Sequence, residues 1–179
     1  TRKSYCRKRT IKNKKMRLSN RNKCTTYNIV SSVIIFSEIF SIFIYFLDRY
    51  ELNTFGNKAL LFMLISNGLF AIFYIRGRQI FDYDSDGEAL NFKNRGVLAI
   101  FGRDISDEFP KYKLKKYEVV NAIFFKRLYI TISSKKQSTT TLKYEISYLT
   151  TKEIRDLKIS LNKVLKVNRE NPTHFAENK

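Results

Sequence analysis

The chain is poor in the residues that build metal centres, disulfide frameworks and nucleophilic sites. Among 179 residues there are two cysteines and one histidine. Cys6 and Cys24 lie in or beside a basic N-terminal stretch, and His174 lies near the C-terminus. An extracellular disulfide scaffold needs more cysteines, set within a folded region, so both thiols are expected to be reduced. Cys24, just outside an apolar segment, could in principle carry an acyl chain. A single histidine makes no zinc set. Neither G-x-x-x-x-G-K-[ST] nor G-x-G-x-x-G occurs, so no phosphate cradle of those kinds is encoded. With no nucleophile beside a base, the sequence points away from an enzyme, and no cofactor is expected.

Acidic residues are also scarce, 16 against 34 Lys and Arg, for a formal charge of +18. The imbalance is local. Residues 1–23 hold eleven basic residues and no acidic one, residues 24–75 hold two and three, and residues 76–179 hold 21 and 13. The excess is mainly a basic tail. The chain does not begin with Met, and Met16 could serve as an alternative start, which leaves the native status of residues 1–15 open.

Charge nearly vanishes in two places. "NIVSSVIIFSEIFSIFIYFL", residues 28–47, has one charged residue, and "ALLFMLISNGLFAIFYI", residues 59–75, has none. Twenty helical residues reach about 30 Å, the thickness of a bilayer hydrocarbon core. A cleavable signal peptide would have a shorter apolar region and a small-residue cleavage site. The soluble alternative, two buried core helices, would need more chain than is available to cover them. Two membrane spans are therefore expected. Eleven basic residues precede the first, Arg76 and Arg78 follow the second, and the connector "DRYELNTFGNK" is balanced. The positive-inside rule then places both termini in the cytoplasm of an inner-membrane, multi-pass protein.

Glu38 falls near the middle of the first span, and Ser66 and Asn67 near the middle of the second. An intramembrane carboxyl is costly unless it faces a partner, so Glu38 is expected to meet Asn67, Ser66 or another subunit. Ser31, Glu38 and Ser41 share one helix face and make a polar stripe suited to association. A proton or ion relay is the alternative, poorly served by one carboxyl.

After Arg78 the pattern alternates. "LYITIS" (128–133) and "LKYEISYL" (142–149) each alternate apolar and polar residues, and "SKKQSTT" between them fits a hairpin loop. "KKYEVVNAIFF" (115–125) reads as a strand with Lys126–Arg127 opening the next turn, and "VLAIF" (97–101) as a short strand. "GRDISDEFP", with Asp104, Asp107 and Glu108, reads as a polar loop before Pro110. Thr150 and Glu153 form a capping box, after which Ile154, Leu157, Leu161, Val164 and Leu165 recur at helical spacing over 152–167.

"DYDSDGE" (82–88) resembles the front of a calcium loop, with Asp82, Asp84 and Asp86 alternating before Gly87. The twelfth position, where such loops carry a bidentate Glu, is Lys93. A hairpin explains the stretch better. An Asp86–Gly87 turn pairs Ser85 with Glu88, Tyr83 with Leu90 and Phe81 with Phe92, with the large apolar residues on one face.

The expected organisation is a basic tail (1–26), a helical hairpin (27–76), a cytoplasmic α+β domain (77–168) and a polar tail (169–179). Five to seven meandering antiparallel strands ended by one amphipathic helix resemble a pleckstrin-homology (PH)-like domain. Bacterial proteins place such a barrel beside a pair of membrane helices. The resemblance covers residues 78–167 by element order and implies a seven-stranded, partly open barrel or sandwich capped by the helix. Phosphoinositide-binding members carry basic residues around the first hairpin, whereas this one is acidic.

The function expected is that of an accessory or scaffolding membrane protein whose PH-like domain binds a protein partner or the membrane surface. One alternative is a subunit of a transport, secretion or motility complex acting through its helices and Glu38. The other is nucleic-acid or ribosome binding by the tail, poorly supported because only Tyr5 and Tyr27 interleave its charge. Anionic headgroups of the inner leaflet are the expected contact for Lys14, Lys15, Arg17, Arg21, Lys23, Arg76, Arg78, Lys113, Lys115 and Lys116. A protein partner or a second copy of the chain is expected, and nucleic acid is not.

Overall fold

A computed structural model of the chain describes residues 16–52, 56–97, 103–134 and 139–170. Lys14, Lys15, Cys6, His174, most of "VLAIF" and the middle of "SKKQSTT" lie outside them.

Two long helices come first. Helix α1 spans Cys24–Leu47 and runs on through a π-turn, Asp48–Leu52, and α2 spans Asn57–Arg76. Both are long and apolar enough to cross a membrane. They pack against each other, yet most of their apolar surface is exposed.

Among the described residues, seven strands form two antiparallel sheets. The first contains β1 (Arg17–Ser19), β2 (Ile80–Asp84), β3 (Ala89–Arg95) and β4 (Ile105–Pro110), adjacent in that order. The second contains β5 (Leu114–Asn121), β6 (Lys126–Ile132) and β7 (Thr140–Glu145). Helix α3, Thr151–Glu170, closes the chain as described. Its start is the expected capping box: the Thr150 amide donates to Glu153 Oε2 at 2.7 Å, and the Glu153 amide to Thr150 Oγ1 at 3.2 Å.

The core follows from alternation. Phe81, Tyr83, Leu90, Phe92 and Phe109 point inward from the first sheet, and Leu114, Leu128, Ile130 and Tyr144 from the second. Ile154, Leu157 and Leu161 of α3 complete it. The helix touches both sheets, since Tyr83 Oη lies 2.9 Å from Ser160 Oγ and Tyr117 Oη donates to Asn162 Oδ1 at 2.8 Å. Phe92 is central, its ring 4.9 Å from Tyr144, 5.0 Å from Tyr83 and 5.7 Å from Phe109, centre to centre.

Four expectations are corrected. First, "DYDSDGE" is a hairpin, but its register is shifted by two: Tyr83 faces Phe92, and Phe81 faces Asn94. A shift of two preserves the faces, so all four large apolar residues remain inside. Gly87 sits at φ +66°. Lys111 Nζ donates to the carbonyls of Ser85 and Gly87, and Met16 and Ser85 bond to each other, so distant contacts set the turn. The aspartates engage different partners: Asp82 takes Ser19 and Arg95, while Asp84 takes Arg17.

Second, the stretch expected as a basic tail (1–26) contains a strand and the start of α1. Arg17–Ser19 pairs with β2 and buries Leu18. Third, "ISDEFP" is edge strand β4, paired with β3 from Ile105 to Pro110. Its inward Asp107 accepts a 2.7 Å hydrogen bond from Tyr144 Oη, so a carboxylate occupies a position where alternation calls for an apolar residue. Pro110 is tolerated because it ends an edge strand. Fourth, Lys126 begins β6, and the β5–β6 turn falls at Ile123–Phe124.

The Tyr144 phenol is pushed far above the usual tyrosine range, first by burial, then by its bond to Asp107 and that carboxylate's charge. Burial also raises Tyr83. Both groups favour the neutral form in the fold, so nothing is lost below about pH 10, the ordinary tyrosine value. Above it the unfolded chain releases protons that the fold retains. Stability then falls by about 1.4 kcal/mol per pH unit for each retained proton. Unfolding midpoints followed from neutral pH to above the tyrosine value should fall less steeply for Tyr144→Phe than for the parent chain. Identical slopes would show that Tyr144 ionises freely.

Candidate membrane interface

The paired helices bury mostly small or polar residues, with Phe73 beside them, and are apolar outside. Ser31, Ser41, Ala59 and Ser66 are buried between them, whereas Phe36 is 72% exposed and Leu64 62%. The buried hydroxyls are satisfied locally: Ser31 donates to Asn28 O at 2.9 Å, Ser41 to Glu38 O at 2.8 Å, and Ser37 and Ser66 share a 3.1 Å bond across the pair. This inverts the order of a water-soluble helical pair, in which apolar residues are inside.

Within the chain Glu38 bonds to neither Ser66 nor Asn67, which leaves the expected contact with another subunit. Ser66 partners Ser37, and exposed Asn67 donates to Met63 O of its own helix at 3.0 Å. Glu38 is half-buried, and its Oε2 is buried without a hydrogen-bond partner.

At the other end of each helix a polar junction joins the pair to the β domain. Fully buried Asn20 donates to Gln79 O at 2.7 Å and accepts from the Phe81 amide at 2.8 Å, tying the segment before α1 to the start of β2. Gln79, also buried, donates to Gly77 O and accepts from the Val97 amide. Buried Asn94 links the sheets, donating to Ile80 O and to Glu145 O while accepting from the Glu145 amide. Glu145 Oε2 accepts from the Arg78 amide at 2.7 Å and pairs with Arg78 Nη1 at 3.2 Å. Arg78 also donates twice to Arg103 O.

These contacts divide the expected cationic set. Arg78 is spent on the junction. Arg17 is exposed and pairs with Asp84 at 2.9 Å, and Lys23 lies 4.0 Å from Glu153. Such exposed pairs contribute about 0–1 kcal/mol each. Arg21 lines an open groove of about 520 Å³ along the β1–β4 sheet, with Asp82, Asp84, Lys93 and Glu108. Mixed charge there favours no ligand of one sign. Lys113, Lys115 and Lys116 stand at the far end of the domain, beside the turn that Lys111 caps and the end of α3, where Asn168 donates to Lys111 O and Leu114 O. They are not continuous with Arg76.

Arg76 is the cation at the helix end. Its guanidinium carbon lies 4.8 Å above the Tyr148 ring, Ser147 Oγ donates to its carbonyl at 2.9 Å, and its Nε is buried without a partner. Tyr27 packs edge-on against Tyr148 at 5.1 Å and donates to its carbonyl. A recess of about 280 Å³ beside Arg76 is lined by Ile72, Phe124, Phe125, Lys126 and Ser147, among others.

Asn20, Gln79, Asn94 and Glu145 were absent from the residues expected on sequence. Only Asn94 carried a signal, since alternation from Leu90 and Phe92 places it on the core face. Among the described residues, no group of three or more His, Cys, Asp or Glu is placed to hold a metal ion.

Fold and site together define an α+β chain: two mostly exposed apolar helices joined through a buried polar junction to a two-sheet domain with a C-terminal helix. Comparison with protein-family models, with curated proteins and with solved structures finds no match to this chain.

Proposed function

We propose that the chain is a multi-pass inner-membrane accessory protein: α1 and α2 span the bilayer as a hairpin, and the β domain is a cytoplasmic, PH-like binding module. The observation that carries this reading is the helical pair's inverted pattern, with three serines, an alanine and Phe73 buried and most of the other phenylalanines, isoleucines and leucines exposed. In water, each exposed large apolar side chain forgoes about 1.5–3 kcal/mol of burial, so that outer surface needs a hydrocarbon environment. Tyr27 and Tyr74 near one end of the pair, and Tyr45 and Tyr50 near the other, suit the two interfaces of a bilayer. Flanking charge supports cytoplasmic termini. The PH-like assignment draws on seven strands in a four-plus-three arrangement followed by one helix, with β1 separated from the rest by the hairpin. The role is binding rather than catalysis, with a protein partner or the anionic leaflet as the target.

The partnerless Glu38 Oε2 favours a second reading, in which the helices dock a further membrane segment. One experiment separates the two. The chain should remain with membranes through alkaline extraction and, purified in mild detergent, bring a partner with it. Retention of that partner by Glu38→Gln assigns the contact to the β domain, and its loss assigns it to the helices. Release from membranes by alkali would reject both.

A further inference from the structure

The β5–β6 hairpin ends in residues that turn chemistry disfavours. The Ala122 amide donates to Phe125 O at 2.9 Å, closing a two-residue loop made of Ile123 and Phe124. Such loops favour Asn, Asp and Gly, and a β-branched residue is among the least suited. Ile123 is 94% exposed and Phe124 53%. Two large apolar side chains at an exposed tip are a local conflict of the kind found at functional sites.

The position of the tip supplies the reason. Its recess is shared with Ile72 and Arg76 of α2. Ile72 lies four residues before Arg76, about 6 Å deeper along the helix axis. The tip therefore stands level with the last apolar turn of α2, where Ile72, Tyr74 and Ile75 are also exposed. Its base is cationic. Lys126 lines the recess, and the Arg127 guanidinium stacks 4.1 Å over the Phe125 ring, bracing the loop. The buried Arg76 Nε lacks a hydrogen-bond acceptor.

We propose that this hairpin is a third membrane element: Ile123 and Phe124 insert into the bilayer beside α2, and Arg76 with Lys126 holds a lipid headgroup phosphate in the recess. The inference rests on the membrane-spanning reading above. Apolar side chains below the headgroups and cations level with the phosphates form the arrangement that interfacial segments use. The β domain is then held against the membrane at its α2 end, with its acidic hairpin turned away.

The chain has no tryptophan, so a single introduced indole reports its own depth. The chain carrying Phe124→Trp, Ile65→Trp or Tyr112→Trp would be reconstituted in phosphatidylcholine–phosphatidylglycerol vesicles containing brominated lipids. Phe124→Trp should show blue-shifted emission and strongest quenching by bromines near the headgroup. Ile65→Trp should be quenched best by deep bromines, and Tyr112→Trp by neither. If Ile65→Trp is quenched and Phe124→Trp is not, the spans stand and the third element is rejected. If Ile65→Trp is unquenched, the membrane-spanning reading itself fails. Adding Arg76→Gln and Lys126→Gln to Phe124→Trp should remove most of its quenching, and unchanged quenching would overturn the phosphate contact. Lys126→Gln alone, at the partly exposed start of β6, guards against misfolding of the double variant.

Discussion

Phe92→Ala should destabilise the β domain by about 3–5 kcal/mol, the usual cost of deleting a buried phenyl ring. Phe92 is 0% exposed, and the rings of Phe81, Tyr83, Phe109 and Tyr144 surround it. Removing it leaves a void that no single neighbour can fill, because both sheets are fixed by their ladders. Pair terms of about 0.5–1.5 kcal/mol between aromatic rings are lost as well. A domain of this size is stable by about 5–15 kcal/mol, so much of its margin disappears. Phe124→Ala is the matched control: the same atoms leave a tip outside the protein core, so the change should be limited to a lipid or detergent contact and stay well below that of Phe92→Ala. Urea unfolding of the detergent-solubilised chain, followed by circular dichroism, compares the two. Equal midpoints for Phe92→Ala and Phe124→Ala would refute the placement of the core.

The elements legible in the sequence were those whose signals are local. The two apolar helices follow from composition over about twenty residues, and α3 from its capping box and helical spacing. The faces of the Phe81–Phe92 hairpin followed from alternation, but its register did not. A period of two assigns a face and is blind to a slip of two. What sets the register is Lys111 and Met16, far away in the sequence. Strand β1 was hidden because its one buried residue, Leu18, is isolated in a basic stretch and its partner strand comes after both helices. Strand β4 was hidden by Asp107, which faces inward to reach Tyr144. The β5–β6 turn was misplaced because Ile123 and Phe124 are strand formers by type. Most of the candidate interface was illegible for a related reason. Asn20, Gln79 and Glu145 act through backbone groups of other elements, and polar side chains near strand ends look like ordinary surface. Asn94 was readable, as a polar residue in register with Leu90 and Phe92.

Gly77→Ala should weaken the attachment of the helical pair to the β domain more than any other single methyl addition at the junction. Gly77 separates α2 from β2 at φ +71° and ψ −147°, a region that side chains other than glycine seldom enter. Holding alanine there costs about 1–3 kcal/mol of backbone strain. Its Cβ would also overlap the Glu145 carboxylate. A flexible carboxylate could ordinarily swing aside, but this one holds the Arg78 amide and Nη1 while its own backbone is bonded to Asn94. Displacing it breaks charge-assisted bonds worth about 1.5–3 kcal/mol each at a site with little access to water. The combined loss is therefore about 3 kcal/mol or more. It should appear as faster amide exchange around Arg78–Ile80 and at Glu145, and as early proteolysis between α2 and β2. Gly87→Ala has a similar φ of +66° but no atom within 4 Å of its added methyl, so it carries the strain without the collision. If Gly77→Ala exchanges at the junction no faster than Gly87→Ala, whose strain lies in the distant β2–β3 turn, neither strain nor collision is felt there, and the Arg78–Glu145 lock does not hold the domain to the helices.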